Sequence, residues 1–107
     1  MSGLSQVTDK TFDETVINSD MPVMVEFWAE WCKPCKTMMP GVEELARKYE
    51  GRIVIMTMNV AENQEIPARF GIRSIPALVF FNRGDTKQII VGAHPICYIE
   101  EELKKLI

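Results

Sequence analysis

The stretch Val25-Glu-Phe-Trp-Ala-Glu-Trp-Cys-Lys-Pro-Cys-Lys36 changes its period halfway along. Its first part continues an apolar, β-branched and aromatic run over 22–28 that reads as a strand, with Glu26 as the one acid inside it. Apolar residues at both alternating sets of positions mark a central strand covered on both faces. From Cys32 onward Met38, Val42, Leu45, Ala46 and Tyr49 recur at intervals of three and four, which is a helix interrupted by Pro40. A proline inside a helix removes one bond of the ladder, so a kink is expected near Pro40.

Cys32 and Cys35 therefore fall where a strand hands over to a helix. Positions three apart are neighbours on a helix, so the two sulfurs can meet in its first turn. Cys32 faces unpaired amides and the positive end of the helix dipole, both of which favour thiolate over thiol, and Lys33 adds a nearby cation. Pro34 lacks only an amide that would go unpaired in a first turn, and it stiffens the link between the sulfurs. The expected chemistry has Cys32 attack a partner's disulfide; Cys35 then displaces the partner and closes a Cys32–Cys35 bond.

Further out, strands alternate with helices. Thr8 and Asp9 look like caps for a short helix carrying Phe12 and Val16 and ending near Asn18. Residues 53–60 read as a second strand, 62–70 as a short helix stopped by Gly71, and 77–82 and 86–91 as strands joined by Asn82-Arg-Gly-Asp85, whose residue types suit a tight hairpin. Pro95 can open a last helix with the stripe Ile96, Ile99, Leu103. The expected fold class is α/β, a layered sheet with antiparallel pairing at the hairpin end.

A chain of 107 residues, 47% hydrophobic, has room for one core, and the expected organisation is a single domain over 1–107. Twelve basic against fifteen acidic residues leave a net charge of −3, which is neither a nucleic-acid footprint nor a basic membrane patch. No apolar run approaches the roughly 20 residues of a membrane span. Residues 1–10 lack the basic start and apolar run of a signal peptide, so the expected setting is cytoplasmic. Three cysteines are an odd number, so at least one thiol stays unpaired.

Five blocks in order resemble the thioredoxin family over essentially the whole chain. They are the segment 25–36, Pro40, Gly71-Ile-Arg-Ser-Ile-Pro-Ala77, Phe81-Asn-Arg-Gly84 and Val91-Gly-Ala93. The resemblance implies a mixed sheet of four to five strands flanked by helices on both faces. It also implies a general protein-disulfide reductase with no bound cofactor beyond the Cys32–Cys35 disulfide and no metal. Electrons would come from NADPH through a flavoprotein, thioredoxin reductase, to a monomer acting on disulfide-containing proteins. Glu26 stands at the family's buried acid, which assists proton removal from Cys35, and Thr57 replaces the lysine usual on the neighbouring strand. The Ile75-Pro76 bond matches the family's cis-proline loop, and Trp31, Ile75, Pro76, Gly92 and Ala93 would form an apolar docking surface around Cys32. Trp28 would pack beneath.

Other readings start from the same residues. Cys32, Cys35, His94 and Cys97 are of the right types for zinc, although His94 also reads as a surface imidazole or helix-start residue. A specialised redox partner or a non-catalytic binding module on the same fold are further alternatives. Cys97 lies off the apolar stripe of the last helix, either as filler on its flank or as a regulatory thiol. The seven methionines read as core filling. Lys33 stands where most thioredoxins have glycine; it either lowers the Cys32 pKa and makes the pair more oxidising or is a solvated charge of little influence. On the first reading, Lys33→Gly lowers the reduction potential in a glutathione redox titration, and a variant potential equal to or above the parent's refutes it.

Overall fold

The computed structural model describes residues 4–107; residues 1–3, the start of the stretch read for a leader, lie outside the described residues. Five strands form one mixed sheet in the order β1-β3-β2-β4-β5. They are β1 (Ser5–Gln6), β2 (Val23–Trp28), β3 (Val54–Asn59), β4 (Ala77–Asn82) and β5 (Asp85–Val91). β2 runs parallel to β3 and antiparallel to β4, so it is paired along both edges. Three α-helices accompany the sheet: α1 (Lys33–Lys48), α2 (Glu65–Arg69) and α3 (Ile96–Lys104). α1 continues past Pro40; its other proline, Pro34, lies in the first turn.

Alternation along the strands splits the apolar side chains into two cores. Met24, Leu78, Phe80 and Ile90 pack on one face with Met38, Val42 and Leu45 of α1 and Ile99 and Leu103 of α3. Val23, Val25, Phe27, Val79 and Phe81 pack on the other with Phe12, Val16 and Ile66. On that second face Phe12, Phe70 and Phe81 meet edge to face, each pair 5.5–5.7 Å between centroids. The β4–β5 hairpin turns on Arg83 and Gly84, both at positive φ, the geometry of a two-residue type I′ loop. At Gly84 a Cβ would stand 2.6 Å from the Ile17 carbonyl oxygen, so the close approach also requires glycine.

Four local expectations change. β1 is an added edge strand, joined in parallel to β3 at Ser5↔Met56 and Gln6↔Thr57; its two exposed side chains carry no periodic signal. The segment over 62–70 is helical only at 65–69, because Asn59 Oδ1 accepts the Ala61 N–H and Asn63 Nδ2 donates to the Asn59 carbonyl, holding a turn before it. β5 starts at Asp85, not at 86, because the loop needs only two residues. Thr8 and Asp9 do not cap the helix that follows them: that helix is a single turn of π type, Asp13–Ile17, closed by the Asn18 N–H on the Asp13 carbonyl at 3.0 Å.

Asp9 caps a different helix. Its carboxylate accepts the N–H groups of Gln64, Glu65 and Ile66 at 2.9–3.1 Å, while its own N–H donates to Asn63 Oδ1 at 2.8 Å. The three donors are the unpaired amides at the start of α2, and an anion is favoured there. Asp9→Ala is expected to cost about 1–2 kcal/mol in a denaturant titration, the usual loss for a charged N-cap. An unchanged midpoint would show that α2 needs no cap.

Candidate active site

After the fully paired β2, the Cys32 N–H donates to the Ala29 carbonyl at 3.0 Å, closing a turn that carries Glu30 and Trp31. Cys32 then takes an extended conformation as the N-cap of α1, with Lys33 and Pro34 as the first helical residues. The Cys35 N–H donates to Cys32 Sγ at 3.2 Å, so one of the unpaired amides at the helix head is directed at that sulfur. Cys32 and Cys35 are joined as a disulfide, their Cα atoms 5.3 Å apart. Cys35 is fully buried, whereas Cys32 keeps 5% of its surface in contact with solvent, and Trp31 beside it is 74% exposed. A partner can therefore reach Cys32 but not Cys35.

Glu26 lies in β2 opposite Thr57 of β3 and Leu78 of β4. It shares the Met24 face of the sheet, the face covered by the Cys35–Met38 side of α1. Its carboxyl is fully buried, and neither oxygen has a hydrogen-bond partner among the described residues. Burial alone pushes its pKa from 4.5 up to about 8. Trp28, also on that face, is half-buried with an unpartnered Nε1, and it lines a depression with Lys36, Met39 and Pro40.

The Ile75-Pro76 peptide is cis. Pro76 is buried, and its carbonyl accepts the Gly92 N–H at 2.8 Å, tying the 74–76 loop to the 92–95 segment. Ile75 is half-buried against the core on the Phe27 face. Ala93 is exposed and joins Lys33, Pro34, Thr37 and Met38 around a groove of about 650 Å³ that His94, Pro95 and Ile96 complete. Sequence reasoning missed Met38 and Ile96 as groove residues. The available signal was the Pro95 helix start immediately after Gly92-Ala93.

The zinc alternative does not assemble. Cys32 and Cys35 are bonded to each other, Cys97 is a free exposed thiol, and His94 Nε2 lies 3.2 Å from the Val91 carbonyl oxygen with its ring against Tyr98. Among the described residues no group of three or more His, Cys, Asp or Glu side chains is placed to hold a metal ion. No helix among them is long and apolar enough to cross a membrane.

A mixed sheet that delivers a disulfide-forming cysteine pair to a helix head defines a thiol–disulfide oxidoreductase. The sequence model of the thioredoxin family matches residues 3–105. A thioredoxin of Rickettsia bellii is 49% identical over 90 residues, covering 84% of this chain and 86% of its own. Thioredoxin 1 of a Nostoc species is 45% identical over 105 residues, 98% of each chain, and a Synechocystis thioredoxin is 40% identical over the full length of both. The chain belongs to the thioredoxin family. It is a protein-disulfide reductase whose cysteine pair is itself the redox group, and its partners in general are disulfide-containing substrates and a reductase.

The buried acid has a measurable signature. At pH below 4.5 Glu26 is protonated in both folded and unfolded chains. Between 4.5 and about 8 the unfolded chain has released a proton that the folded chain retains, so stability falls as pH rises. Relative to Glu26→Gln, the parent should lose up to about 1.4 kcal/mol per pH unit across that window and level off above it. Parallel stability profiles from pH 4 to 9 in denaturant titrations would mean that Glu26 ionises normally.

Proposed function

We propose that Cys32 is the attacking sulfur and Cys35 the resolving one in a general protein-disulfide reductase. The observation that carries this is the seat of Cys32 Sγ, at the head of α1 and accepting the Cys35 N–H, in a residue that keeps some exposure where Cys35 keeps none. In the reduced protein the Cys32 thiolate attacks one sulfur of a substrate disulfide, forming a mixed disulfide and releasing the other substrate sulfur as a thiolate that takes up a proton. Cys35 then loses its proton and displaces the substrate. Two electrons and two protons pass from the dithiol to the substrate, and Cys32–Cys35 is left oxidised.

Glu26 is the group that takes the Cys35 proton. It is buried on the face against which Cys35 packs, and a pKa near 8 suits a group that must both accept and release a proton around neutrality. Lys33 and Pro34 tune the pair from the first turn of α1. Trp31, Ile75, Pro76, Gly92 and Ala93 receive the substrate segment, whose backbone runs along the 74–76 loop. The electrons that restore the dithiol come from NADPH through thioredoxin reductase, and the protein acts as a cytoplasmic monomer, a single domain over 1–107.

The order of attack is tested by trapping. With a disulfide-bearing protein such as insulin, Cys35→Ser should accumulate a stable mixed disulfide through Cys32, while Cys32→Ser should form almost none. Equal trapping by both variants would overturn the assignment of roles.

A further inference from the structure

The charge of the groove beside the disulfide runs against the net charge of this acidic chain. Pro34, Met38, Pro95 and Ile96 give it an apolar lining, and none of its lining residues is acidic. Its walls are held close: a Cβ on Gly41 would overlap Ile96 Cγ1 and Cδ1, so glycine at that position lets α3 approach α1. Lys33 stands on one side and His94 on the other. Lys36, the next cation along α1, is paired with Glu30 at 2.8 Å and holds that carboxyl below its ordinary pKa. Lys33 has no ion-pair partner among the described residues. His94 is fixed at the rim by the Val91 carbonyl and the Tyr98 ring.

From this charge pattern we infer that the groove is a specificity subsite for a substrate segment that carries an apolar side chain and then a carboxylate next to its reacting cysteine. The inference rests on the exchange chemistry proposed above and names its preferred substrate class. The apolar side chain enters between Pro34 and Ile96, and the carboxylate meets the free Lys33 ammonium with His94 opposite. A basic residue at the same place would be repelled by Lys33.

The test uses three disulfide peptides, each bearing the same small neutral leaving thiol: one with Cys-Leu-Glu, one with Cys-Leu-Lys and one with Cys-Ala-Glu. Second-order rates with the reduced protein are divided by each peptide's rate with dithiothreitol, which removes differences in intrinsic reactivity. In each reaction the Cys32 thiolate attacks the peptide sulfur, the small thiol leaves and is protonated, and Cys35 then releases the peptide as a thiol. The Glu peptide should outpace the Lys peptide by about three- to tenfold at low salt, the size expected for exposed charges, and the ratio should approach one near 1 M salt. The Ala peptide should be slower than its Leu counterpart. In the Lys33→Gln/His94→Gln double variant the charge preference should vanish, whatever that variant's absolute rate. Equal rates for the Glu and Lys peptides in the parent, or a preference that survives the double substitution, overturn the inference while leaving the exchange chemistry intact. Failure of every peptide to react overturns that chemistry and the inference with it.

Discussion

The interaction on which the molecule's chemistry depends is the one between the Cys32 sulfur and the head of α1. A thiol becomes a useful nucleophile only when its anion is favoured, and the cheapest source of that preference in a small protein is a helix's own unpaired amides. Seating a sulfur there requires a rigid strand to end within a few residues of a rigid helix. β2 meets the first requirement by pairing on both edges, and the Cys32 N–H to Ala29 carbonyl bond fixes the turn between them. α1 meets the second through its apolar face on the sheet and through its far end. There Tyr49 donates to Glu100 at 2.7 Å, and Lys48 pairs with the same carboxylate at 2.6 Å.

Burial of Glu26 works against stability. A carboxyl in the middle of a central strand with no hydrogen-bond partner among the described residues is among the more costly groups a fold can hold, and a leucine there would pack without that penalty. The cost is confined to the sheet face that receives Cys35, which is the place where a proton has to move on the proposed mechanism. Thr57, its partner across β3, supplies no charge to lower the pKa again. Desolvation therefore acts without opposition and pushes the Glu26 pKa up from 4.5 to about 8.

The elements legible in the sequence were those whose signal lies within one element. The β2 run, the three-and-four spacing of α1, the Arg83-Gly84 hairpin and the Pro95 helix start all describe the chain's own backbone, and each lies where its residues imply. The cysteine pair was legible for the same reason, since three residues of helix suffice to bring the sulfurs together. What depended on partners far along the chain was less visible. Asp9 has the residue type of a cap, but the amides it satisfies belong to α2, more than fifty residues away, rather than to the turn that follows it. β1 has no pattern of its own and exists because β3 offers it an edge. The groove is assembled from the first turns of α1 and the approach to α3, and Gly41, which permits their contact, looks in isolation like a weak point in a helix.

The charges around the disulfide follow from the same long-range packing. Lys33 and Lys36 sit in the first turn of α1, where cations oppose the helix dipole, and neither is placed there by helix stability. The two cations differ in their partners. Glu30, on the turn that leads into Cys32, reaches Lys36 and cancels it, while Lys33, beside Pro34 and opposite His94, has no ion-pair partner among the described residues. Among the described residues a positive charge is thus left without an ion-pair partner at the mouth of an apolar groove, on a chain whose net charge is −3. On the chemistry proposed above, the residue that separates this site from a glycine-bearing one bears on both reactivity and partner choice.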